Sequence, residues 1–401
     1  MNRVVITGLG VVSPLGNSVT EMAATLKSGR SAIGPLTNIS TEGLLIKIGA
    51  EVRGFDPAAH FTDKQLPILD RCSQLALVAA RQAVAQSGLG FRNGLGARTA
   101  TILGSGVGGM NTLDESFHRI YAEGSKRAHP FTVPKLMISA PMSHITIEHG
   151  LTGPSFTVAS ACASATHAVG VAFQMVRSGA VDVAVTGGTE AVFTFGAIKG
   201  WEALRVMASE TCRPFSKSRS GMVLGEGAAI FVLENRERAL ARGAAIVAEV
   251  AGCGMSSDAA DIVLPSVDGA ISAMTACLAD AELAPEDVDY INAHGTGTAA
   301  NDVTETKAIH AAFGSHAKKV AVSSTKSMHG HALGAAGAIE LAATVIAMRE
   351  GFVPPTANYA EPDPECDLDY LPNEARPAEI RAAISNSFAF GGHNAVIAVR
   401  R

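Results

Sequence analysis

The chain has 401 residues, of which 47% are apolar and 17% are charged, and its net charge is −5. This composition excludes an intrinsically disordered chain, because disorder requires low hydrophobicity and high charge. Six cysteines in a chain of this length are too few for a disulfide scaffold. The 32 basic and 37 acidic residues form no basic run of the kind that binds nucleic acid, so we expect no nucleic-acid partner.

The longest apolar stretch, residues 332–348, does not predict a membrane span. It contains Glu340 and is interrupted by two glycines, which favours a buried core helix. Residues 1–6 lack the long apolar region and the small-residue cleavage site of a signal peptide, and they indicate a strand. We therefore expect a cytoplasmic protein with reduced thiols.

Short runs rich in β-branched residues recur along the chain. Nearly continuous apolar strands that alternate with alanine-rich helical stretches predict buried sheets with helices on their faces. The predicted fold class is therefore α/β. In chain order, the predicted strands cover residues 4–7, 100–103, 156–159, 181–185, 228–233, 290–293, 320–323 and 395–399.

The two halves of the sequence resemble each other. In the first half, a helix at 70–87 precedes a strand and the glycine-rich loop 104–109. In the second half, a helix at 268–281 precedes a strand and the loop 294–298. Each half continues with a strand, a polar turn and an alanine-rich helix. An internal duplication would bring the two polar turns together at the junction of the halves.

This pattern predicts two domains, an N-terminal half at 1–245 and a C-terminal half at 246–401. The segment 111–150 fits neither half, since it mixes prolines with basic residues and methionines. We interpret it as an insertion that covers a site or an interface.

Cys162 is the first candidate for chemistry. It follows the strand 156–159 within the small-residue segment 160–165 and directly precedes a helical pattern. A thiol at a helix N-terminus is favoured as thiolate by the helix dipole. Small neighbours allow a sharp turn that exposes the sulfur at the end of the strand. A single thiol of this kind can also be an ordinary buried cysteine. Two histidines in the second half favour a nucleophilic role for Cys162.

Those histidines lie at equivalent places in the second half. His294 follows a strand and precedes the glycine-containing loop 295–298, and strand ends are where α/β folds place their ligands. His331 lies five residues after Lys326 and enters an apolar helix. A single histidine of this kind is more often structural. Two of them beside a lysine, opposite a cysteine in the other half, favour a catalytic cluster.

A zinc site is an alternative that uses the same atoms, since Cys162, His294, His329 and His331 offer four nitrogen and sulfur ligands. Structural zinc sites usually have pairs of close ligands, and here only His329 and His331 are close in sequence. Imidazoles that make hydrogen bonds are the favoured interpretation.

A dinucleotide site is a second alternative, because Gly104-x-Gly106-x-x-Gly109 follows a strand. Such a site also needs an acidic residue about 20 positions later, and position 129 is a histidine among prolines and basic residues. A tight turn that lines a cavity is the favoured interpretation.

The segment 385–394 forms a glycine-rich turn before the last strand. Its backbone N–H groups can form half of an oxyanion hole. Phe388 and Phe390 can gate a channel. A hairpin turn with core aromatic residues explains the same segment equally well.

Four motifs occur together in one order, and they resemble those of the elongating 3-oxoacyl-(acyl-carrier-protein) synthases of the ketoacyl synthase II type. The resemblance implies the thiolase fold, in which two similar halves form a five-layered α-β-α-β-α architecture. A cysteine with two histidines is similar to the elongating branch, and chain-length factors lose the cysteine, so a catalytic subunit is implied. The four motifs are 161–164, 294–298, 326–331 and 386–392, with similar segments at 4–10, 214–216 and 225–228.

The resemblance implies a decarboxylative Claisen condensation that extends a fatty acyl, polyketide or specialised acyl chain. Cys162 attacks the thioester of an acyl carrier protein and holds the acyl group. His294 and His331 then stabilise the enolate formed when malonyl carrier protein loses carbon dioxide. The N–H groups of Cys162 and Phe390 form the oxyanion hole, and Phe390 is a gate between the two half-reactions.

Supporting roles follow from the same resemblance. Lys326 orients or polarises the site around His331, and Glu305 is the family's supporting acid. The residues implied in substrate binding are Thr296, Thr298, Gly106, Val107 and Phe388.

No cofactor or catalytic metal is implied. Some family members hold a structural monovalent cation, and the residues that match that site are Asn292, Glu340, Ser385 and Asn386.

The implied partners are an acyl carrier protein with phosphopantetheine-linked acyl and malonyl groups, and a second copy of the chain that meets it near 156–159. A heterodimer with a subunit similar to a chain-length factor is an alternative to the homodimer. Two other functions stay open: a non-catalytic partner subunit, and a thioesterase or non-decarboxylating thiolase. The intact cysteine, histidines and lysine argue against the first, and the lack of a second catalytic cysteine near the C-terminus argues against a thiolase.

The sequence also departs from the family pattern. His393 and His329 stand where threonine is usual, and Ala299 replaces a common proline. Residues 64–70 are less basic than the carrier-docking helix of housekeeping members. Segments 201–205, 211–215 and 261–265 resemble nodulation protein E, a specialised ketosynthase that makes unsaturated acyl groups, which implies a dedicated pathway.

Overall fold

The computed structural model describes all 401 residues as an α/β protein. Fourteen strands and twelve α-helices are present. The strands are β1 Val4–Val12, β2 Gly34–Pro35, β3 Ile48–Gly49, β4 Thr99–Gly104, β5 Ser155–Val158, β6 Val183–Glu190, β7 Gly227–Asn235, β8 Ala248–Ser257, β9 Tyr290–Asn292, β10 Ala321–Ser323, β11 Phe352–Val353, β12 Arg376–Pro377, β13 Ala382–Ala389 and β14 His393–Arg400. The helices are α1 Val19–Ser28, α2 Arg71–Ser87, α3 Met110–Tyr121, α4 Thr132–Leu136, α5 Ala140–His149, α6 Ser164–Arg177, α7 Phe195–Ala203, α8 Arg236–Ala241, α9 Val267–Asp280, α10 Ala299–Phe313, α11 Lys326–His329 and α12 Ala336–Glu350.

The two halves of the sheet have the same topology. In the first half the strand order is β5-β4-β6-β7-β1, and in the second it is β10-β9-β13-β14-β8. In each group the second strand in that order runs parallel to both of its neighbours, and the remaining pairs are antiparallel. The groups join where β1 pairs with β8. The predicted similarity of the two halves is therefore confirmed.

The helices form the other three layers. Helices α6 and α12 lie between the two groups of strands and contribute to the largest apolar core. Helix α2 covers the outer face of the first group, and α9 and α10 cover that of the second, each with its own apolar core. This α-β-α-β-α arrangement confirms the predicted five layers.

Helix α12 explains the long apolar stretch of the sequence. Residues 336–348 are all buried, because both faces of this helix contact other layers. An all-round apolar helix is expected in such a position. No helix in the structure is long and apolar enough to span a membrane.

The segment 111–150 is only partly an insertion. Helix α5 packs on α2 and β4, and Met142 and Ile145 are buried in the outer core of the first half. These side chains lie three residues apart on one helix face, so this face belongs to the fold itself. The preceding part of the segment carries exposed aromatic side chains at Phe117, Tyr121 and Phe131.

Candidate active site

Cys162 lies in a tight turn between β5 and α6. Ala161 adopts a left-handed conformation, with φ of 49°. The Ser164 hydroxyl accepts a hydrogen bond from the Ser160 amide at 2.9 Å and donates one to the Ala161 carbonyl at 2.6 Å. The turn places Cys162 immediately before the helix, with only 7% of its surface exposed.

His294 begins the loop after β9, and Glu305 holds this loop in place. The buried Glu305 carboxylate on α10 accepts hydrogen bonds from the His294 and Gly295 amides, both at 2.8 Å. Gly295 has φ of 36°, and a Cβ atom there would lie 2.5 Å from the Ser324 Cβ. The close approach of the loop to Ser324 therefore requires glycine at this position.

Lys326 is fully buried at the start of α11 and faces the same loop. Its Nζ donates to the His294 carbonyl at 2.7 Å and lies 3.3 Å from His294 Nδ1. It also contacts the buried Glu340 carboxylate on α12. Because the Lys326 ammonium can only donate, Nδ1 of a neutral His294 must accept. The single ring hydrogen is then on Nε2, which makes Nε2 a donor.

His331 completes the cluster. Its Nε2 lies 2.9 Å from Cys162 Sγ, and its ring meets that of His294 edge to face, with centroids 5.5 Å apart. One nitrogen of each ring and the sulfur all lie within 4.8 Å of one another. The His331 amide donates to the Val223 carbonyl at 2.7 Å, so β-bridging backbone holds this residue in position.

Burial sets the protonation states of these three groups. It raises the pKa of the Cys162 thiol to about 12, although Lys326 and the backbone amides of Cys162 and Phe390 act in the opposite direction. In the resting protein, burial therefore opposes the thiolate that the helix N-terminus favours. The sulfur is a thiol until a base accepts its proton.

Burial also sets the protonation state of the two histidines. Burial lowers the pKa of both His294 and His331 well below the usual value, and the nearby Lys326 ammonium lowers each further. Both imidazoles are therefore neutral near pH 7. A neutral His331 with Nε2 facing the sulfur can accept the thiol proton.

The cluster lies in a cavity of about 700 Å³, including its open mouth. Phe388 packs against His294, with ring centroids 6.1 Å apart, and is buried. The Thr296 and Thr298 hydroxyls lie 2.9 Å apart on the wall. The 16 lining residues, most of them hydrophobic, are Cys162, Trp201, Val206, Met222, Val263, Leu264, Pro265, His294, Thr296, Thr298, Ala300, Asn301, His331, Phe388, Ala389 and Phe390.

Gly106 and Val107 are not brought into this cavity. Their amides donate to the buried carboxylate of Glu190, at 2.6 Å and 3.3 Å respectively. Glu190 also accepts from the Ser105 hydroxyl at 3.0 Å and the Gly334 amide at 2.9 Å. The carboxylate therefore ties the loop after β4 to the segment that follows His331.

The same contacts decide against a dinucleotide site. A phosphate would need the amides of the glycine-rich loop, and those of Gly106 and Val107 are already used by Glu190. The four-ligand zinc hypothesis is also wrong. His329 lies outside the Cys162, His294 and His331 cluster, and its Nε2 lies 3.0 Å from the Thr325 hydroxyl.

A different group of oxygens lacks partners. Asn292 and Ser385 pair in register on β9 and β13, and Glu340 lies on α12, whereas the Asn386 side-chain amide donates to Glu305 on α10, on the other face of the sheet. The buried atoms without a hydrogen bond include Asn292 Oδ1, Glu340 Oε2, Ser385 Oγ and Asn386 Oδ1. Amide, hydroxyl and carboxylate oxygens are ligands for a hard cation, so the donor set fits the monovalent cation that the resemblance implies.

Three buried or cavity-lining residues had no role in the sequence analysis. Glu190 holds the loop after β4, and Trp201 is one of the residues that line the cavity. Asp302 is a buried carboxylate on α10 that accepts from the Phe215 amide at 2.7 Å and the Gly297 amide at 3.2 Å. Asp302 stands one helical turn before Glu305, and that spacing could have revealed it. Nothing in the local pattern around Glu190 predicts a buried carboxylate.

The chain matches known proteins over nearly its whole length. Residues 1–239 match the family Beta-ketoacyl synthase, N-terminal domain, and residues 247–360 match Beta-ketoacyl synthase, C-terminal domain. Nodulation protein E of Rhizobium sp. (strain N33) is 51% identical, with 100% of this chain and 99% of that protein covered. The 3-oxoacyl-[acyl-carrier-protein] synthase 2 of Coxiella burnetii is 43% identical, with 100% and 98% covered.

Solved structures agree with this assignment. The ishigamide ketosynthase/chain length factor has a TM-score of 0.94 and 38% identity, covering 100% of this chain and 99% of that chain. A type II polyketide ketosynthase in complex with its acyl carrier protein has a TM-score of 0.88 and 31% identity, again covering 100% and 99%. The chain has the fold of these proteins and belongs to the beta-ketoacyl synthase family of condensing acyltransferases.

Proposed function

We propose that the protein joins an acyl group held on Cys162 to the two-carbon unit of malonyl carrier protein, with loss of carbon dioxide. The observation that carries this proposal is the contact of a buried thiol with a neutral imidazole, beside a second imidazole whose tautomer Lys326 sets. Such a cluster supplies a nucleophile, a base and a donor for a developing oxyanion in one cavity.

Acyl transfer to Cys162 is the first half-reaction. His331 Nε2 accepts the thiol proton as Sγ attacks the thioester carbonyl of acyl carrier protein. The amides of Cys162 and Phe390, which already face the sulfur, donate to the oxyanion of the tetrahedral intermediate. The carrier leaves as a thiol after taking the proton from His331, and the acyl group remains as a thioester on Cys162.

Carbon–carbon bond formation is the second half-reaction. The malonyl group loses carbon dioxide, and its thioester oxygen takes up the negative charge of the enolate. His294 Nε2–H donates to this oxygen. His331 supplies a second hydrogen bond once its ring hydrogen has moved from Nδ1 to Nε2, because Nε2 gave the thiol proton to the departing carrier. The enolate carbon attacks the Cys162 thioester and expels the cysteine thiolate, which takes up a proton from water at the open mouth of the cavity.

The surrounding residues position this chemistry. Lys326 holds the His294 ring through Nδ1 and its backbone through the carbonyl. Glu305 fixes the start of the His294 loop. Thr296 and Thr298 line the cavity where a phosphopantetheine arm would pass, and their hydroxyls suit its amide groups. Gly106 and Val107, in the loop that Glu190 holds, are proposed to lie beside the acyl chain.

Unpaired buried oxygens beside α12 support a structural cation. Asn292, Glu340 and Ser385 would hold a monovalent cation such as sodium or potassium, which would satisfy otherwise unpaired buried oxygens. The Asn386 side chain faces α10 instead, so its backbone is the part that could contribute. The cation stabilises the structure, and no step of the condensation uses it.

The proposed partners are an acyl carrier protein and a second copy of the chain. Strand β5 is the last strand at one edge of the sheet, and Phe156 on it is 42% exposed. An uncovered edge strand is a template for pairing with another chain, and this one supports a homodimer through 156–159. Similarity to a ketosynthase/chain length factor keeps a heterodimer as the alternative. A cytoplasmic location stays a prediction.

The division of the chain at residue 245 also remains a proposal, supported by the family matches that end at 239 and resume at 247. The 51% identity to nodulation protein E favours a specialised acyl product over housekeeping fatty acids. Incubation with malonyl carrier protein and a panel of acyl carrier proteins tests both the condensation reaction and the choice of acyl group. We expect 3-oxoacyl carrier protein and carbon dioxide in equal amounts, with the best acyl donor identifying the pathway.

A further inference from the structure

Trp201 is the single tryptophan of the chain, and it lies in the wall of the active-site cavity. Its indole stacks on the ring of Phe390, with ring centroids 6.0 Å apart and the planes inclined by 27°. Both side chains are partly buried. Aromatic pairs at this separation attract each other beyond the gain from burial.

The two partners of this stack differ in how firmly they are held. Trp201 lies on α7 and packs on a small apolar core that includes Ile198, Met222 and Leu333. The next residue, Glu202, accepts hydrogen bonds from the Leu45 and Ile46 amides at 2.7 and 2.9 Å, so the end of α7 is fixed to a neighbouring loop.

The amide of Phe390 itself donates to no backbone carbonyl, although hydrogen bonds hold the glycines that follow it. The residue stands in the turn between β13 and β14 and is followed by Gly391 and Gly392, both in the left-handed conformation, with φ of 81° and 70°. The Gly391 amide donates to the Ile262 carbonyl at 2.8 Å in the loop after β8, and the Gly392 amide donates to the Ala389 carbonyl at 3.1 Å within the turn. Consecutive glycines can change conformation at little steric cost, so the position of Phe390 depends on what its ring contacts.

The position of Phe390 matters because its amide faces Cys162 Sγ. If the ring leaves the indole, the turn moves with it and one of the two oxyanion donors is misplaced. We infer that Trp201 is a positioning residue, which holds Phe390 so that its amide remains in the oxyanion hole. This inference rests on the proposed function, since it concerns a donor to the same tetrahedral intermediates.

The first test needs no substrate. Because Trp201 is the only tryptophan, protein emission excited at the indole band reports on this stack alone. We expect Phe390→Leu to increase the quenching of Trp201 by acrylamide, since the indole loses its cover. Phe388→Leu is the matched control, because Phe388 packs against His294 in the same cavity. Equal quenching in wild type and Phe390→Leu would overturn the inference.

The second test separates positioning from folding. Trp201→Leu should lower kcat of condensation by about 2- to 12-fold, the range equivalent to one aromatic pair, with little change in KM for the carrier substrates. Trp201→Phe keeps an aromatic ring and should recover most of kcat. An unchanged kcat in Trp201→Leu would refute the role, as would equal losses in the two variants.

A wrong function and a wrong role for Trp201 would give different results in these experiments. If wild type forms no acyl adduct on Cys162 and no condensation product, the proposed function is contradicted and the catalytic role of Trp201 falls with it. The quenching comparison still decides whether Trp201 and Phe390 are in contact. If wild type is active and the quenching comparison fails, only the inference about Trp201 is lost.

Discussion

His331 Nε2 lies 2.9 Å from Cys162 Sγ, although 169 residues separate them in the sequence. The two residues belong to different halves that share one strand order. Cys162 lies in the polar turn before α6, and His331 follows the corresponding turn before α12, the two helices of the middle layer. Internal duplication therefore explains why this thiol and this imidazole meet at the junction of the halves.

His294→Ala should separate the two half-reactions. We expect acylation of Cys162 at nearly the wild-type rate, because His331 is the imidazole in contact with the sulfur. Condensation should fall by about 10²- to 10³-fold, the usual cost of one oxyanion donor. Single-turnover mass spectrometry measures the first rate, and carbon dioxide release measures the second. Equal losses in both rates would contradict the division of roles between His294 and His331.

His329 should make the protein less stable in acid. Burial lowers its pKa to about 3 in the folded protein, whereas an unfolded histidine has a pKa near 6.5. A lowered pKa means that the stability is present above about pH 6.5 and is lost as the pH falls, since unfolding takes up a proton. Between pH 7 and 5, wild type should lose about 2 kcal/mol more than His329→Gln. Urea unfolding at both pH values measures this difference, and equal losses would disprove it.

Glu190→Gln should lower both the stability of the fold and the rate of condensation. A glutamine would place an NH₂ group against N–H and O–H donors, so hydrogen bonds to Gly106 and Gly334 or to their neighbours would be lost. We expect a loss of about 1–3 kcal/mol in the free energy of unfolding, together with reduced condensation.

Glu51→Gln is the control for this substitution, because Glu51 is an equally buried acceptor of the Thr37 and Asn38 amides. This variant should lose stability and keep its specific activity. Full activity in a folded Glu190→Gln variant would show that the loop it holds is irrelevant to the site.

The exposed edge strand predicts the oligomeric state. Phe156→Asp should convert the wild-type dimer to a monomer, because it places a charge at the apolar edge of β5. Leu240→Asp, at an exposed leucine on α8, should leave the dimer intact. Sedimentation velocity distinguishes these species. A monomeric wild type would rule out the homodimer and favour a partner subunit.

The cation proposal predicts an ion-specific stability. We expect a higher Tm in potassium or sodium chloride than in tetramethylammonium chloride at the same ionic strength, since only small cations fit buried oxygens. Ser385→Ala should reduce this difference. Ser323→Ala removes a hydroxyl that is already paired with Tyr290 and serves as the control. A wild-type Tm that is the same in all three salts would argue against the site.

Sequence patterns gave the architecture correctly because duplicated β-branched runs and buried alanine-rich helices have clear periodicities. They also indicated Cys162, His294, Lys326 and His331 as candidate site residues, because reactive side chains occur there at strand ends in a fixed order of motifs. They did not give the protonation state of Cys162. That depends on burial by distant segments, which no local pattern records.

The features that the sequence did not reveal have a common origin in tertiary contacts. The Gly106 amide is occupied by Glu190, 84 residues away, and no local pattern predicts this bond. Helix α5 looked like an insertion, although its apolar face belongs to the core. Trp201 had no recognised role, because stacking on Phe390 joins a helix end to a hairpin turn.

The most direct test of the central claim is the intact mass of the protein after incubation with acyl carrier proteins, followed by malonyl carrier protein. The account predicts an acyl adduct that is absent in Cys162→Ala and is discharged from wild type with release of carbon dioxide. An adduct that persists in Cys162→Ala, or one that is discharged equally well without a malonyl group, would contradict a condensing enzyme with Cys162 as its nucleophile.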